Sequence, residues 1–248
     1  MPNIIKASEM SMDNSNIRAI IYGGAGSGKT QLYASFPKPM CVFDWDKKHK
    51  PLIGIEGIDI ISYAPADLSD APKQFLQFKR DWKEIKNGGQ YRTIVLDSIT
   101  SFDTVNLKYF CSISKGGLES TPTLPVYQDQ GSYYAFFFAE LKSIAAHVVI
   151  TAHEHFNEDE QSGVMSIQPL ITGKQILRKL PSMFEEVWYL ERKAADKAAN
   201  TPEQYILHWK PWKKAIATST FLRGTGELIL PEANGYDAII KEGHKVVR

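Results

Sequence analysis

Short apolar runs alternate with helix-favouring stretches over the first two thirds of the chain. The runs are rich in β-branched and aromatic residues, are bounded by turn-forming residues, and are too short for buried helices. They predict buried strands at 18–23, 40–45, 58–63, 92–97 and 147–153. Because strands that alternate with helices form parallel sheets with right-handed crossovers, this part of the chain predicts an α/β fold.

The clearest helical pattern covers 70–86, where four large apolar side chains recur at spacings of three and four. These side chains are Phe75, Phe78, Trp82 and Ile85, and Asn87-Gly88-Gly89 closes the stretch. Further helices are predicted from Gly28 to Phe36, from 98 to about Phe110, and from about Gln128 to Ala146. The Ser-, Gly-, Thr- and Pro-rich segment 112–126 is the most loop-like.

The pattern changes after about residue 155. A hairpin is expected with its turn near 161–163, and short strands follow at 185–190, 205–209 and 215–222. We interpret these strands as a C-terminal antiparallel extension of the parallel sheet. The expected organisation is a short polar extension at 1–16 followed by one α/β domain at 17–248.

Composition narrows the class of protein. The chain has 248 residues, 43% of them hydrophobic and 11% aromatic, which excludes a mainly disordered protein. A net charge of +1 argues against a protein that coats DNA through general basicity, although a local basic surface remains compatible with it. Cys41 and Cys111 have no metal-binding spacing, and we expect both to be reduced and partly buried. No stretch has the length of a membrane span or the pattern of a signal peptide.

The strongest motif is Gly23-Gly24-Ala25-Gly26-Ser27-Gly28-Lys29-Thr30, a complete GxxxxGK[ST] between a predicted strand and a predicted helix. Glycines let backbone N–H groups wrap a phosphate, and the helix N-terminus adds positive potential. Lys29 is expected to reach the β- and γ-phosphates, and Thr30 to bind Mg²⁺ through its hydroxyl. We expect the nucleotide to contact the whole segment from Gly23 to Gln31.

An acidic residue at the tip of a neighbouring strand would complete the Mg²⁺ site. Asp97 follows four apolar-tolerant positions, Thr93 to Leu96, and is the candidate. The alternative is that Asp97 caps the following helix. Motifs typical of GTPases, of transporter ATPases and of the lid of small nucleotide kinases are missing from the sequence.

The second predicted strand ends in Cys41-Val42-Phe43-Asp44-Trp45-Asp46, and here the chain resembles the RecA-like recombinase ATPases. In that family the corresponding strand ends in an acidic residue that polarises the attacking water. The resemblance makes Asp46 the candidate general base, with Asp44 as the alternative. The family more often has Glu at this place.

The strand Val148-Val149-Ile150-Thr151-Ala152-His153 ends where RecA-like proteins carry a γ-phosphate sensor. Its "TAHE" form looks like the phage RecA-like ATPases related to the archaeal Rad-type recombinases, as do "PLITGK" at 169–174 and the strand after 180. The resemblance makes His153 the sensor. Two alternatives are a purely structural histidine and a zinc site formed with Glu154, His155 and Glu158.

Two further sites are implied by the same resemblance. A basic residue near a late strand would reach the γ-phosphate of a neighbouring subunit, and the candidates are Lys213, Lys214 and Arg223. The alternatives for 208–214 are a nucleic-acid patch with stacking aromatics or a solvated strand edge. A mobile DNA-binding loop is expected at 112–126, with Lys115, Gly116 and Gly117.

Three tyrosines near that loop, Tyr127, Tyr133 and Tyr134, are candidates for stacking on bases. The segment after His153 is acidic and therefore a poor partner for phosphate.

The resemblance as a whole implies a RecA-like P-loop ATPase with ATP and Mg²⁺ as its ligands. Its expected partners are single-stranded DNA, further copies of the chain in a ring or filament, and a single-strand-binding protein, with no membrane contact. The expected location is the cytoplasm, which is the host's if the chain is phage-encoded. Two alternatives are an ATPase that acts on a protein assembly without DNA and a small-molecule phosphotransferase.

Overall fold

The computed structural model describes residues 16–158, 163, 165–172, 176, 183–195, 198 and 200–245. The predicted extension at 1–16 lies outside this part of the chain except for its last residue. So do most of the expected hairpin turn at 161–163 and the end of the "PLITGK" motif.

The described residues form ten strands in one sheet, and five helices. The strands are β1 Arg18–Gly23, β2 Met40–Asp44, β3 Ile58–Ser62, β4 Thr93–Asp97, β5 His147–Glu158, β6 Met165–Pro169, β7 Glu186–Lys193, β8 Gln204–His208, β9 Thr218–Ser219 and β10 Glu227–Leu230. The helices are α1 Lys29–Ala34, α2 Ala71–Gly88, α3 Ile99–Ile113, α4 Leu124–Ser143 and α5 Gly235–His244.

The sheet has the order β10-β8-β7-β1-β5-β4-β2-β3. All neighbours from β7 to β3 are parallel, whereas β8 and β10 add antiparallel strands at one edge. The last part of β5 pairs with β6 in the expected hairpin, and β9 pairs with β7, both antiparallel. This is the α/β architecture predicted for a RecA-like P-loop core, with a mainly parallel sheet flanked by helices.

The prediction of an antiparallel C-terminal extension is wrong for its first strand. β7 runs parallel to β1, from the pair Ala19–Glu186 to the pair Tyr22–Tyr189. Val187, Trp188 and Leu190 are all buried, because β7 lies inside the sheet between β1 and β8. Burial on both faces is typical of a parallel strand. The segment predicted as a strand at 215–222 contributes just the two residues of β9.

Helix ends follow the chemistry of the flanking residues. α2 ends at a left-handed glycine, Gly89, with φ of 62°. α4 begins at Leu124, earlier than predicted, because Pro125 fits the first turn of a helix. α3 continues to Ile113, so the predicted loop at 112–126 shortens to 114–123.

Two apolar clusters cover the faces of the sheet. The larger one contains the aromatic side chains of α2, α3 and α4, and Phe75, Phe78 and Trp82 are buried in it as the helical pattern predicts. The smaller one lies under α1 and α5. Within the described residues, no helix has the length and apolar character needed to cross a membrane.

Candidate functional site

The loop between β1 and α1 surrounds the Lys29 ammonium. Gly26 and Gly28 have φ of 72° and 88°, a left-handed conformation that glycine adopts without strain. The Lys29 ammonium lies inside the loop and donates to the carbonyl oxygens of Gly23 and Gly24, both at 2.8 Å, and to the Ser27 hydroxyl at 3.3 Å. Burial lowers the pKa of Lys29, although the carboxylates of Asp97 and Glu154 oppose that shift.

The segment from Gly23 to Gln31, which is predicted to contact the nucleotide, consists of this loop and the first turn of α1. Ala25 and Gly26 are exposed at the tip of the loop, whereas Ser27 is buried. Gln31 points away from Lys29, because its side-chain amide donates to the backbone carbonyl of Glu232.

Asp97 lies at the end of β4 and is held by two hydroxyl groups. Tyr33 donates to one carboxylate oxygen at 2.8 Å, and Thr151 donates to the other. Burial raises the pKa of Asp97, and these two hydrogen bonds act against the shift. Ser98, not Asp97, caps α3 by accepting from the Ser101 N–H at 3.3 Å, so the capping alternative for Asp97 is wrong.

The two aspartates at the end of β2 have different partners. Asp44 accepts the backbone N–H groups of Asp46 and Lys47 at 3.1 and 2.9 Å and lies 2.8 Å from His49 Nδ1. These contacts occupy Asp44 in the turn. Asp46 instead faces the neighbouring strands, where Ser98 Oγ donates to it at 3.3 Å.

His153 lies between Asp46 and the P-loop strand. Its Nε2 is 3.4 Å from an Asp46 carboxylate oxygen, and in the sheet His153 pairs with Gly23 of β1. The backbone N–H of His153 donates to Thr100 Oγ1 at 3.0 Å. Burial would raise the pKa of Asp46, but hydrogen bonds with His153 and Ser101 hold it below its usual value.

Lys29 and Asp46 follow β1 and β2, Asp97 ends β4, and His153 ends the part of β5 that pairs with β1, so the four residues lie near the same edge of the sheet. Open parallel sheets bind their ligands at this edge. The described residues contain no group of three or more His, Cys, Asp or Glu side chains that could hold a metal. The zinc alternative at His153, Glu154, His155 and Glu158 gains no support from this geometry. A Thr30 hydroxyl with one carboxylate is a different, hard-oxygen donor set that suits Mg²⁺.

Three side chains lie against the P-loop glycines, and the sequence interpretation assigned none of them to this loop. A Cβ placed on Gly24 would lie 3.0 Å from Glu154 Oε1, and one on Gly26 would lie 3.3 Å from Arg192 Nη1. A Cβ on Gly28 would lie 2.9 Å from Tyr205 Cδ1. Sheet order brings Arg192 and Tyr205 to this place, and nothing in their local sequence indicates it.

The basic residues near the late strands are in different situations. Lys213, Lys214 and Arg223 are all exposed, and Lys213 also forms an ion pair with Glu191 of its own chain at 3.0 Å. The alternative of a stacking patch at 208–214 gains little support from the two tryptophans, although Lys210, Lys213 and Lys214 are exposed. Trp209 is buried, and Trp212 stacks on the His208 ring with centroids 4.6 Å apart.

The candidate DNA loop lies between α3 and α4. Lys115 and Gly116 are exposed there, and Gly117 has φ of 75°. Of the three tyrosines proposed for base stacking, Tyr127 alone is exposed. Tyr134 is buried and donates to Asp103 at 2.8 Å, and Tyr133 packs against the aromatic core, so the prediction of stacking is wrong for these two.

Comparison with known proteins agrees with the P-loop geometry. Residues 15–220 match the model of a family described as an AAA domain. No curated protein matches the chain in sequence. A crystal structure of the RadB recombinase matches over 88% of this chain and 89% of its own, with 13% identity and a TM-score of 0.47. Since the family model covers most of the sequence, the chain belongs to the AAA_24 family of AAA domains and carries a P-loop NTPase-type domain.

Proposed function

We propose that this chain binds ATP with Mg²⁺ and hydrolyses it, and that the nucleotide state controls the assembly of subunits on single-stranded DNA. The proposed setting is phage-type recombination or strand annealing. The observation that carries the proposal is the convergence of Lys29, Asp97, Asp46 and His153 at one edge of the sheet.

The P-loop supplies the phosphate site. Backbone N–H groups from Gly24 to Gln31 surround the phosphates, and Lys29 neutralises charge at the β- and γ-phosphates. Mg²⁺ would be held by the Thr30 hydroxyl and, through its water shell, by Asp97. Tyr33 and Thr151 fix both oxygens of Asp97, which keeps the carboxylate pointed at the metal position.

Asp46 is proposed to orient the attacking water. Hydrogen bonds with His153 and Ser101 lower its pKa and keep it ionised near neutral pH, so that it can accept a hydrogen bond from the water and orient it. Asp44 is bound by its own turn and is less available for this role.

His153 is proposed to sense the γ-phosphate. Its ring already contacts Asp46, and a hydrogen bond to the γ-phosphate would change that contact. Because His153 lies in β5, which continues into the hairpin with β6, such a change could reach the surface of the subunit.

A neighbouring subunit would complete the site with a cation. We favour Lys214 and Arg223 over Lys213 because Lys213, although exposed, is ion-paired with Glu191 of its own chain. The DNA contact is proposed at Lys115, Gly116 and Gly117, with Tyr127 as the exposed aromatic side chain nearby in sequence.

Sedimentation with ATP and Mg²⁺, with and without a single-stranded oligonucleotide, tests this function directly. We expect ATP-dependent assembly, more assembly with the oligonucleotide, and a DNA-stimulated ATPase rate that falls steeply with salt. Lys29→Ala should abolish the ATP dependence. An ATPase that assembles without responding to DNA at low salt would indicate action on a protein assembly instead, and phosphate transfer to a metabolite would indicate a phosphotransferase.

A further inference from the structure

A carboxylate that the proposed mechanism does not use lies against the P-loop. Glu154 directly follows His153 on β5, and His153 pairs with Gly23 of β1. The two segments stay close for one more residue, since a Cβ placed on Gly24 would lie 3.0 Å from Glu154 Oε1. The acidic group therefore lies beside the backbone of the loop that is proposed to surround the phosphates.

Neighbouring strands hold this carboxylate in place. The Tyr189 hydroxyl of β7 donates to Glu154 Oε2 at 3.2 Å, across the end of β1. The Tyr189 ring lies against Tyr22, with centroids 5.2 Å apart, and the Tyr22 hydroxyl donates to the carbonyl oxygen of Ile167 at 3.1 Å. Burial and the nearby Glu154 charge raise the pKa of Tyr189 to about 12, so its hydroxyl stays a donor near neutral pH.

The Glu154 charge acts within the proposed phosphate site. Together with Asp97, it favours the charged form of Lys29, against the effect of burial. Asp97 is proposed to hold Mg²⁺ and Asp46 to orient the water, whereas the mechanism gives Glu154 no task. A fixed carboxylate beside a site for a polyanion lowers affinity, because like charges repel strongly where water is partly excluded.

This repulsion depends on the charge of the ligand. Metal-free ATP carries about four negative charges near neutral pH, and its Mg²⁺ complex carries about two, because the ion cancels part of the charge. Since a Coulomb energy is proportional to charge, the free-energy penalty from Glu154 is about twice as large for metal-free ATP as for the complex.

We infer that Glu154 makes the P-loop select the Mg²⁺ complex of the nucleotide, because its carboxylate repels the metal-free form more strongly. The inference rests on the proposed function for the position of the phosphates. Glu154 is then a specificity-determining residue, and it neither binds the metal nor moves a proton.

Calorimetric binding of a non-hydrolysable ATP analogue, with excess Mg²⁺ and with EDTA, tests the inference. Glu154→Gln removes the charge but keeps a carbonyl oxygen that can accept from Tyr189. We expect it to tighten binding of the metal-free analogue by about tenfold and of the Mg²⁺ complex by about threefold, so that the preference for the complex falls by about threefold.

A second variant and a matched control complete the experiment. Glu154→Ala removes the same charge without adding an amide N–H that could bind phosphate, and it should change the preference equally. Glu158→Gln is the control, because Glu158 is exposed and lies four positions farther along β5, about 13 Å away. At that distance the charge is largely screened, so both affinities should stay within about twofold of the wild type. Thermal unfolding of the ligand-free variants checks that all three fold.

The other outcomes overturn the inference for different reasons. If Glu154→Gln and Glu154→Ala tighten both forms equally, the carboxylate lowers affinity without selecting the complex. If these variants behave as Glu158→Gln does, or bind more weakly than the wild type, Glu154 stabilises the sheet through Tyr189 and does not act on the phosphates. If the wild type binds the analogue in neither condition, the proposed function itself fails, and the inference fails with it.

Discussion

Two aspartates near the end of β2 differ in their contacts: Asp44 stabilises a turn, and Asp46 is proposed to act in hydrolysis. Asp44 accepts two backbone N–H groups that close the turn, while Asp46 contacts Ser98 and His153 on the neighbouring strands. The sequence predicts an acidic group at this edge of the sheet but does not decide between Asp44 and Asp46. The turn at 44–47 distinguishes them, and the hydrophobic pattern of the strand does not predict that turn.

Asp46→Asn should therefore lower the ATPase turnover by about 100-fold or more, because an amide cannot take up the proton of the attacking water. Nucleotide affinity and the melting temperature should change little. Asp44→Asn is the matched control and should mainly lower the melting temperature. Steady-state kinetics and thermal unfolding measure both, and the reverse pattern would assign the water-activating role to Asp44.

Tyr33 is a positioning residue for the proposed Mg²⁺ site, since its hydroxyl donates to Asp97. Tyr33→Phe should raise the Mg²⁺ concentration for half-maximal nucleotide binding by roughly fivefold, because the loss of one hydrogen bond costs about 1 kcal/mol. Tyr63→Phe is the control, since Tyr63, just after β3, also donates to an aspartate, Asp81 of α2. Equal Mg²⁺ dependence in the two variants would contradict the role of Tyr33.

His147 links stability to pH. Burial, with Arg92 and Arg18 nearby, lowers the pKa of His147 to about 4, and its Nδ1 accepts the Ile17 N–H at 3.0 Å. The unfolded chain therefore binds more protons between about pH 6.5 and pH 4, so stability is full above this window and falls through it. We expect a loss of about 3 kcal/mol in the free energy of unfolding.

His147→Gln removes the titrating group and keeps a side-chain acceptor, so it should be less stable at pH 7 but flatter across this window. Urea unfolding from pH 4 to pH 7 compares the two proteins. Parallel curves for wild type and variant would show that another group causes the acid sensitivity.

At the scale of elements, the sequence predicts features that depend on neighbouring residues better than features that depend on residues far apart in the chain. The sequence predicts α2 because Phe75, Phe78 and Trp82 repeat with the helical period. It predicts the ends of β1 and β4 because a glycine loop follows β1 and an aspartate ends the apolar run of β4. The direction of β7 cannot be predicted, because the same apolar run is compatible with a parallel or an antiparallel strand. Tyr205 reaches Gly28 across 177 positions, through pairing that no local pattern records.

The substitution Phe78→Ala tests the packing of α2 against the sheet. It is fully buried and contacts the rings of Phe43, Trp45 and Trp82, so Phe78→Ala should cost about 3–5 kcal/mol of stability. Leu76 lies two positions away on the same helix and is 43% exposed, so Leu76→Ala should cost less than about 1 kcal/mol. Urea unfolding of both variants measures the difference, and similar costs would contradict the packing.

At the scale of the whole molecule, the proposed hydrolytic side chains and the candidate cations lie in different parts of the sheet. The proposed hydrolytic side chains lie on the β5, β4 and β2 side of the P-loop. The exposed cations Lys214 and Arg223 lie in segments that follow β8. Under the proposed function, this separation would let one subunit hold a nucleotide while it offers a cation to another.

Mixing two inactive variants tests that last step. Asp46→Asn should bind ATP and assemble without hydrolysing it, yet still offer its cations, whereas Arg223→Ala should have an intact site and offer no cation. If Arg223 acts in trans, the mixture should hydrolyse ATP faster than either variant alone, because an Arg223→Ala site gains the arginine of its Asp46→Asn neighbour.

Lys214→Ala, mixed in the same way, tests the second candidate, and Lys213→Ala is the control, since Lys213 is bound to Glu191 within its own chain. Mixtures that never exceed the sum of their parts, with assembly confirmed by sedimentation, would show that the site is complete within one subunit.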